Sequence, residues 1–259
     1  MADELVRDPW SALRRLTAAR IGLGRSGNSM PTRAALEFSL AHAQARDAVH
    51  AAFDAERVER DARALGLATV RVHSRAEDRA ADLRRPDLGR RLDDAGRAAL
   101  ESMAGAGRCD IVFVIGDGLS SVAAMNHGAA LVAATLEHLH DGWRIGPLVV
   151  AEQARVALGD EIGALLAADL VVVALGERPG LSSPDSLGLY ITWKPRIGRH
   201  DAERTCVSNV RPGGLAIGEA AARLAWHLAQ SRRLQLSGVA LKDESDTRRV
   251  ANAATERLD

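Results

Sequence analysis

Two glycine-rich turns carry the side chains of this sequence best placed to do chemistry. Gly116, Asp117, Gly118 and Ser120 lie in D-I-V-F-V-I-G-D-G-L-S-S, which opens at Asp110. Gly176, Glu177 and Gly180 lie in D-L-V-V-V-A-L-G-E-R-P-G-L-S-S, which opens at Asp169. Each reads acid, apolar run, glycine, acid, glycine, Leu-Ser-Ser, and the second loop is two residues longer. A carboxylate between glycines sets an acceptor beside backbone N–H groups that a polar ligand can approach closely. The pair implies two parallel strands whose exits flank one crevice, where open α/β sheets bind ligands. Two ordinary strand exits would read the same way.

Other chemistry-bearing residues are less pointed. Gly22, Gly24 and Gly27 match the dinucleotide fingerprint G-x-G-x-x-G, but that fingerprint must follow a strand and residues 9–21 have helical spacing. The expectation there is a turn, enriched by Arg20 and Arg25, that contacts another chain. Arg84, Arg85, Arg90 and Arg91 around one proline could clamp an anionic group, or form a solvated basic turn balanced by Asp93 and Asp94. Cys109, at a strand start, reads as packing and Cys206 lies in a polar loop; both are expected as free thiols. His42 and His50 read as surface residues of a helix. A G-x-S-x-G elbow, paired cysteines and a phosphate loop are all missing from the sequence. A crevice without a self-sufficient catalytic constellation points to a binding subunit whose chemistry is done elsewhere.

The elements that must position these residues follow from the apolar pattern. With 259 residues, the chain can bury a large core. Its 34 basic and 34 acidic residues give no net field for nucleic acid or an anionic membrane. No apolar run approaches the ~20 residues of a membrane helix, and the start of the sequence lacks the design of a secretory signal, so a cytoplasmic protein is expected. Aromatic residues are only 3%, which favours helices packed closely on a sheet over an all-β fold.

Residues 9–21 read as a short amphipathic helix capped by Ser11. Residues 32–53 read as a long helix with Leu36, Leu40, Val49 and Phe53 on its apolar side, and Asp54 caps a second helix ended by Gly66. Strands are expected at 67–73, 111–115, 147–151 and 170–175, with a short, antiparallel one at 188–193. Residues 84–92 should lead into a helix ending near Gly105. Ser120 or Ser121 caps a helix to Leu139, Asp160 caps another, and a last helix spans 217–234, followed by a frayed tail from Lys242. Residues 194–209 are expected as a polar loop. This order gives a doubly wound, mostly parallel, Rossmann-like α/β domain over residues 67–259, preceded by an N-terminal helical arm over residues 1–66.

Six stretches, in order and spread over nearly the whole chain, resemble the family of ethanolamine ammonia-lyase small subunits. They are D-P-W-S-A-L-R-R-L-T-A-A-R-I, R-P-D-L-G-R-R-L, I-G-D-G-L-S-S, A-R-V-A-L-G-D-E-I-G, G-E-R-P-G-L and E-R-T-C-V-S-N-V-R-P-G-G. The resemblance implies a hetero-oligomer with a large TIM-barrel subunit that carries the radical chemistry and converts ethanolamine to acetaldehyde and ammonia with adenosylcobalamin. It implies that this chain holds the nucleotide-tail side of the corrin through Val156, Glu177 and Cys206, with the loop between the last two one residue shorter than the family's. Gly116 to Ser121 are expected to meet the polar tail. The family's N-terminal extension, tied to bacterial microcompartments, is not expected here, because the D-P-W helix begins almost at Met1. A stand-alone nucleotide- or corrinoid-binding sensor is the alternative.

Overall fold

Apolar runs without alternation need cover on both faces, and that requirement places the centre of the sheet. A computed structural model describes residues 8–103, 107–140 and 142–245. In it Ile111–Gly116 (β2) and Leu170–Gly176 (β4) are parallel neighbours, buried along their whole length. β1 (Thr69–His73) and β3 (Leu148–Glu152) extend the parallel part, while β5 (Leu187–Trp193) and β6 (Arg204–Val210) continue beyond β4 antiparallel. The order is β1-β3-β2-β4-β5-β6.

Period two along each strand divides the core. Phe113, Val150 and Val172 face one side, against Val58 of α2 (Ala55–Arg63), Leu131 of α5 (Ser121–His138) and Leu224 of α7 (Ile217–Leu234). Val114, Val149 and Val173 face the other, against Leu100 of α4 (Asp94–Met103) and Ile162 of α6 (Leu158–Leu165). The molecule is therefore an α/β fold built on a mixed sheet with helices on both faces. The acids that open the two repeated stretches anchor the strand starts: Asp110 accepts from Arg144 at 2.6 Å, and Asp169 from Lys194 at 2.5 Å and from Arg108.

Several expectations change. Residues 204–210 are a strand, not a loop; as an edge strand β6 buries Thr205, Val207 and Val210 but leaves Cys206, Ser208 and Asn209 exposed, which hides its apolar signal. The first helix is a short 3-10 helix, Pro9–Arg15, capped by Asp8 instead of Ser11 and with no buried residue. Residues 84–92 do lead into a helix, α4, as expected, but a short helix not expected there, α3 (Arg79–Arg84), precedes Pro86; Gly105 lies outside the described residues, as does the tail from residue 246. Ala157, not Asp160, caps α6. In α1 (Thr32–His50) the buried residues are Ala34, Ala41 and Ala48, while Leu36 and Leu40 of the apolar side are 65% and 60% exposed. Small side chains let this helix lie close to its neighbour and turn the large ones out. Asp54 does cap α2, which shares the sheet's core through Ala55, Val58 and Ala62, so what lies outside that core is confined to residues up to α1.

His227, on the buried face of α7, is 1% exposed. Burial pushes its imidazole below the ordinary histidine range, against the pull of Asp243 at 3.5 Å. A depressed folded value means that stability is full above the unfolded value of about 6.5 and is lost as pH falls towards the lower folded value. Urea unfolding should therefore show a decline in stability below about pH 6.5 that the His227→Gln variant lacks; parallel pH profiles for the two proteins would refute this assignment.

Candidate functional site

The two glycine turns do lie side by side, at the carboxyl ends of β2 and β4. Leu119 N–H donates to the Gly176 carbonyl at 2.8 Å. A methyl group at Gly118 would collide with the Gly176 carbonyl, and one at Gly176 with the Ser120 carbonyl, so the two backbones are in contact and only glycine fits. That contact closes the space expected between them. Asp117 is fully buried and accepts from Gln153 N–H at 3.0 Å, Ala154 N–H at 2.9 Å and Arg79 Nη2 at 3.0 Å. The Ser120 hydroxyl donates to the Pro184 carbonyl at 2.8 Å and accepts from the N–H of Ala123. Gly116 is buried, and the Gly118 carbonyl accepts from Arg79 at 2.5 Å. These four residues are turned inward and hold the loops that bear other groups.

What Asp117 holds is the turn before α6. Its two backbone donors are Gln153 and Ala154, and the next residue, Arg155, makes a two-pronged pair with the buried Asp82 at 2.8 and 2.9 Å. Val156 follows, partly exposed. Gly159, one turn on, is packed against Val173 closely enough that a Cβ would overlap it, and Gly163 sits likewise against Pro195 and Val171. The two glycines let α6 press onto β4.

Sheet register carries this row outward. Val173 pairs with Tyr190 on β5, and Tyr190 with Cys206 on β6. Gly159, Val173, Tyr190 and Cys206 thus lie in line on the face that α6 covers, and Cys206 is two strand spacings, about 10 Å, from β4. Beyond α6, which packs on β4, the partly exposed Tyr190 forms a floor on this face, and Gly188 beside it is buried against the Glu177 side chain. Glu177 stands at the strand-end rim of this floor. One carboxylate oxygen accepts from Ser186 Oγ at 2.5 Å and Asn209 N–H at 3.2 Å. The other, Oε1, has no hydrogen-bond donor among the described residues and faces Gly188. Glu177 and Cys206 therefore lie on one sheet face, and Val156 lies in the turn before the helix that packs on it.

Electrostatics keep the floor uncharged. The Cys206 sulfur is at the surface, yet the protein crowded around it raises the thiol above its ordinary value, and its nearest partner is Ser208 Oγ at 3.2 Å. Burial, with Cys206 and Glu177 nearby, pushes Tyr190 up to about 12, so its phenol remains a donor. Tyr190, Ser186 and Asn209 adjoin Glu177 and Cys206; Asn209 lies in the E-R-T-C-V-S-N stretch, while no motif marked Tyr190 or Ser186. The one available signal was that Tyr190 is the sole tyrosine of the chain.

Other expected groups lie elsewhere. Arg91 pairs with the buried Glu161 at 3.0 Å, Arg85 pairs with Asp87 in solvent, and Arg84 donates to the Ala80 carbonyl, so three of the four arginines are drawn to separate partners. Gly22, Gly24 and Gly27 all have positive φ in an irregular turn that no strand precedes, which removes the dinucleotide reading. From that turn Arg20 reaches the Leu181 carbonyl at 3.4 Å, just past the Glu177 loop.

Comparison with known proteins assigns a family. The model of the ethanolamine ammonia-lyase light chain (EutC) family matches residues 7–242. The ethanolamine ammonia-lyase small subunit of Bradyrhizobium diazoefficiens is 54% identical over 251 residues, 96% of either chain. That of Pseudomonas aeruginosa strain UCBPP-PA14 is 49% identical over 257 residues, 98% of this chain and 94% of its own. That of Xanthomonas campestris pv. campestris strain B100 is 50% identical over 247 residues, 93% of this chain and 89% of its own.

Proposed function

The chain belongs to the ethanolamine ammonia-lyase light-chain family, and from that premise we propose that it is the cofactor-holding, non-catalytic subunit of a lyase that converts ethanolamine to acetaldehyde and ammonia. Its partner is the large subunit, and its ligand the nucleotide-tail side of adenosylcobalamin. The observation that supports this most is the partly exposed Tyr190 floor with Glu177 and the exposed Cys206 beside it, next to the helix whose preceding turn carries Val156. A flat corrin edged with amides needs apolar contact and scattered donors and acceptors, and this floor offers both without a formal charge except Glu177. When bound, the cofactor supplies radical chemistry through its cobalt–carbon bond, on the large subunit's side.

Each residue of the chain has a part in holding it. Val156 presses on the ring or its base. Glu177 Oε1 accepts from a corrin amide or a ribose hydroxyl, fixed in direction because Oε2 is tethered to Ser186 and Asn209. Cys206, kept as a thiol, is a small neutral neighbour instead of a nucleophile. The Tyr190 phenol adds a donor. Gly116, Asp117, Gly118 and Ser120 serve by locking the Glu177 and Val156 turns in place.

The N-terminal arm, residues up to α1, is the surface for the large subunit, and the α/β unit that follows is the cobalamin-binding domain. Among the described residues no helix is long and apolar enough to cross a membrane, and the assembly is read as cytoplasmic, with nucleic acid and membrane left out as partners.

Mixing this chain with a cognate large subunit and adenosylcobalamin should give ethanolamine-dependent acetaldehyde that neither protein gives separately; no gain on mixing would sink the reading. Within that assay Glu177→Gln should raise the cofactor concentration needed for half-maximal rate by about tenfold, the loss of one charge-assisted hydrogen bond. An unchanged cofactor requirement would remove Glu177 from the site.

A further inference from the structure

Cys206 hangs on an edge strand next to an irregularity, which is an insecure place for a ligand contact. The register of β6 shifts between Leu187 and Leu189 of its neighbour, and Asn209 has a φ of 62°. Bulged edge strands bend and twist locally. Two tethers flank Cys206. Downstream, Asn209 N–H is held by Glu177. Upstream, Arg204 makes a two-pronged ion pair with Asp160 at 2.6 and 2.8 Å, with both side chains no more than 3% exposed. Arg204 also donates to Thr192 Oγ1 at 3.1 Å and to the Arg199 carbonyl at 3.0 Å.

The ends of this pair are informative. Asp160 is one helical turn after Val156, and Arg204 is two residues before Cys206, on the same face of β6. The link therefore crosses β5 and joins the element that presents Val156 to the element that presents Cys206. A buried ion pair is a weak source of net stability, because desolvation offsets most of its attraction and apolar residues of similar volume often do as well. Its fixed two-pronged geometry does something that apolar packing does not: it sets the distance and orientation of two segments.

We propose that the Asp160–Arg204 pair is a positioning brace that sets the spacing between Val156 and Cys206, and through it the affinity for the corrinoid. The proposal rests on the cobalamin reading of the same face and names two residues that do not touch the cofactor. Asp160 and Arg204 act through the segments that do.

The test uses the complex with the large subunit. The double variant Asp160→Leu with Arg204→Met fills the same space without leaving either charge unpaired. Arg204→Lys keeps the charge and removes the fork, so it gives an answer even if the double variant folds badly. Cofactor affinity is read from the half-saturating adenosylcobalamin concentration and from cobalamin absorbance retained with the complex on gel filtration. Thermal unfolding and kcat at saturating cofactor are recorded alongside.

The double variant should bind cobalamin about tenfold more weakly and Arg204→Lys about threefold, with kcat within about twofold and a midpoint no lower than wild type for the double variant. A merely structural pair would shift the unfolding midpoint and leave cofactor affinity alone, and that result would overturn the proposal. Glu177→Gln and Val156→Ala, run in parallel, separate the two ideas. If they too leave cobalamin binding unchanged, the cobalamin reading fails and the brace with it; if they weaken binding while the double variant and Arg204→Lys do not, the brace alone fails.

Discussion

Replacing Asp117 by alanine is expected to destabilise the protein by about 3–5 kcal/mol, the range for removing one partner of a buried ion pair. The carboxylate is 0% exposed and is the meeting point of three donors from two segments: Gln153 and Ala154 N–H from the turn before α6, and Arg79 from the start of α3. Without it, two buried N–H groups lose their acceptor, and Arg79 keeps only Asp82, the Gly118 carbonyl and Ser121 Oγ. Asn at this position retains the shape and one acceptor oxygen, so Asp117→Asn should cost less, about 1–3 kcal/mol. The loss should also reach the site, because the turn that Asp117 secures ends at Val156; folded Asp117→Asn complex should hold cobalamin more weakly at unchanged kcat. Denaturant midpoints of the two variants measure the first effect, and a midpoint within error of wild type for Asp117→Ala would show that the donors find other acceptors.

Asp117 also marks where the sequence stopped being legible. Its flanking glycines announced a close approach correctly, and a ligand was the natural inference. The approaching group is instead the backbone of the other glycine turn, and no reading of one segment shows what packs on it. Strands buried on both faces, β2 and β4, were plain from their unbroken apolar runs, and even the antiparallel direction of β5 was anticipated. The edge strand β6 was not, because half of its residues face solvent or the site and are polar by need.

The site divides in the same way. Val156, Glu177 and Cys206 came from resemblance to a family, while Tyr190, Ser186, Asn209 and the Asp160–Arg204 link join it through strand register across the sheet. Asp160 and Arg204 are 44 residues apart in sequence, and read separately one is a helix cap and the other part of a polar loop. In α1 the direction was not legible: apolar spacing shows that Leu36 and Leu40 share a side, but not whether that side meets the chain's own core or another protein. Alanines at 34, 41 and 48 offered a second, equally regular stripe, and it is the buried one.

That outward face carries the second large effect. Trp10 is 65% exposed, Leu16 83%, Leu36 65%, Leu40 60% and Met30 51%. Exposed large apolar side chains in this number between the 3-10 helix and α1 are the mark of an interaction site. It lies close to the Glu177 loop, since Arg20 lies over the Phe38 ring at 5.9 Å and reaches the Leu181 carbonyl just past Glu177. A partner that closes over the floor can cover the arm in the same contact. The triple variant Trp10→Ala, Leu36→Gln, Leu40→Gln removes three of these side chains, and glutamine keeps α1 in a good helix former. Because none of the three is buried, chain stability should stay within about 1 kcal/mol of wild type. Association with the large subunit should weaken by at least about 100-fold, since apolar anchors at the centre of an interface cost about 2 kcal/mol or more each when truncated. Sedimentation velocity across a dilution series reads the association, and cobalamin retention should fall in step as the second wall of its site departs. Assembly of the triple variant at wild-type affinity would place the large subunit on another face and leave the arm's apolar stripe without its proposed partner.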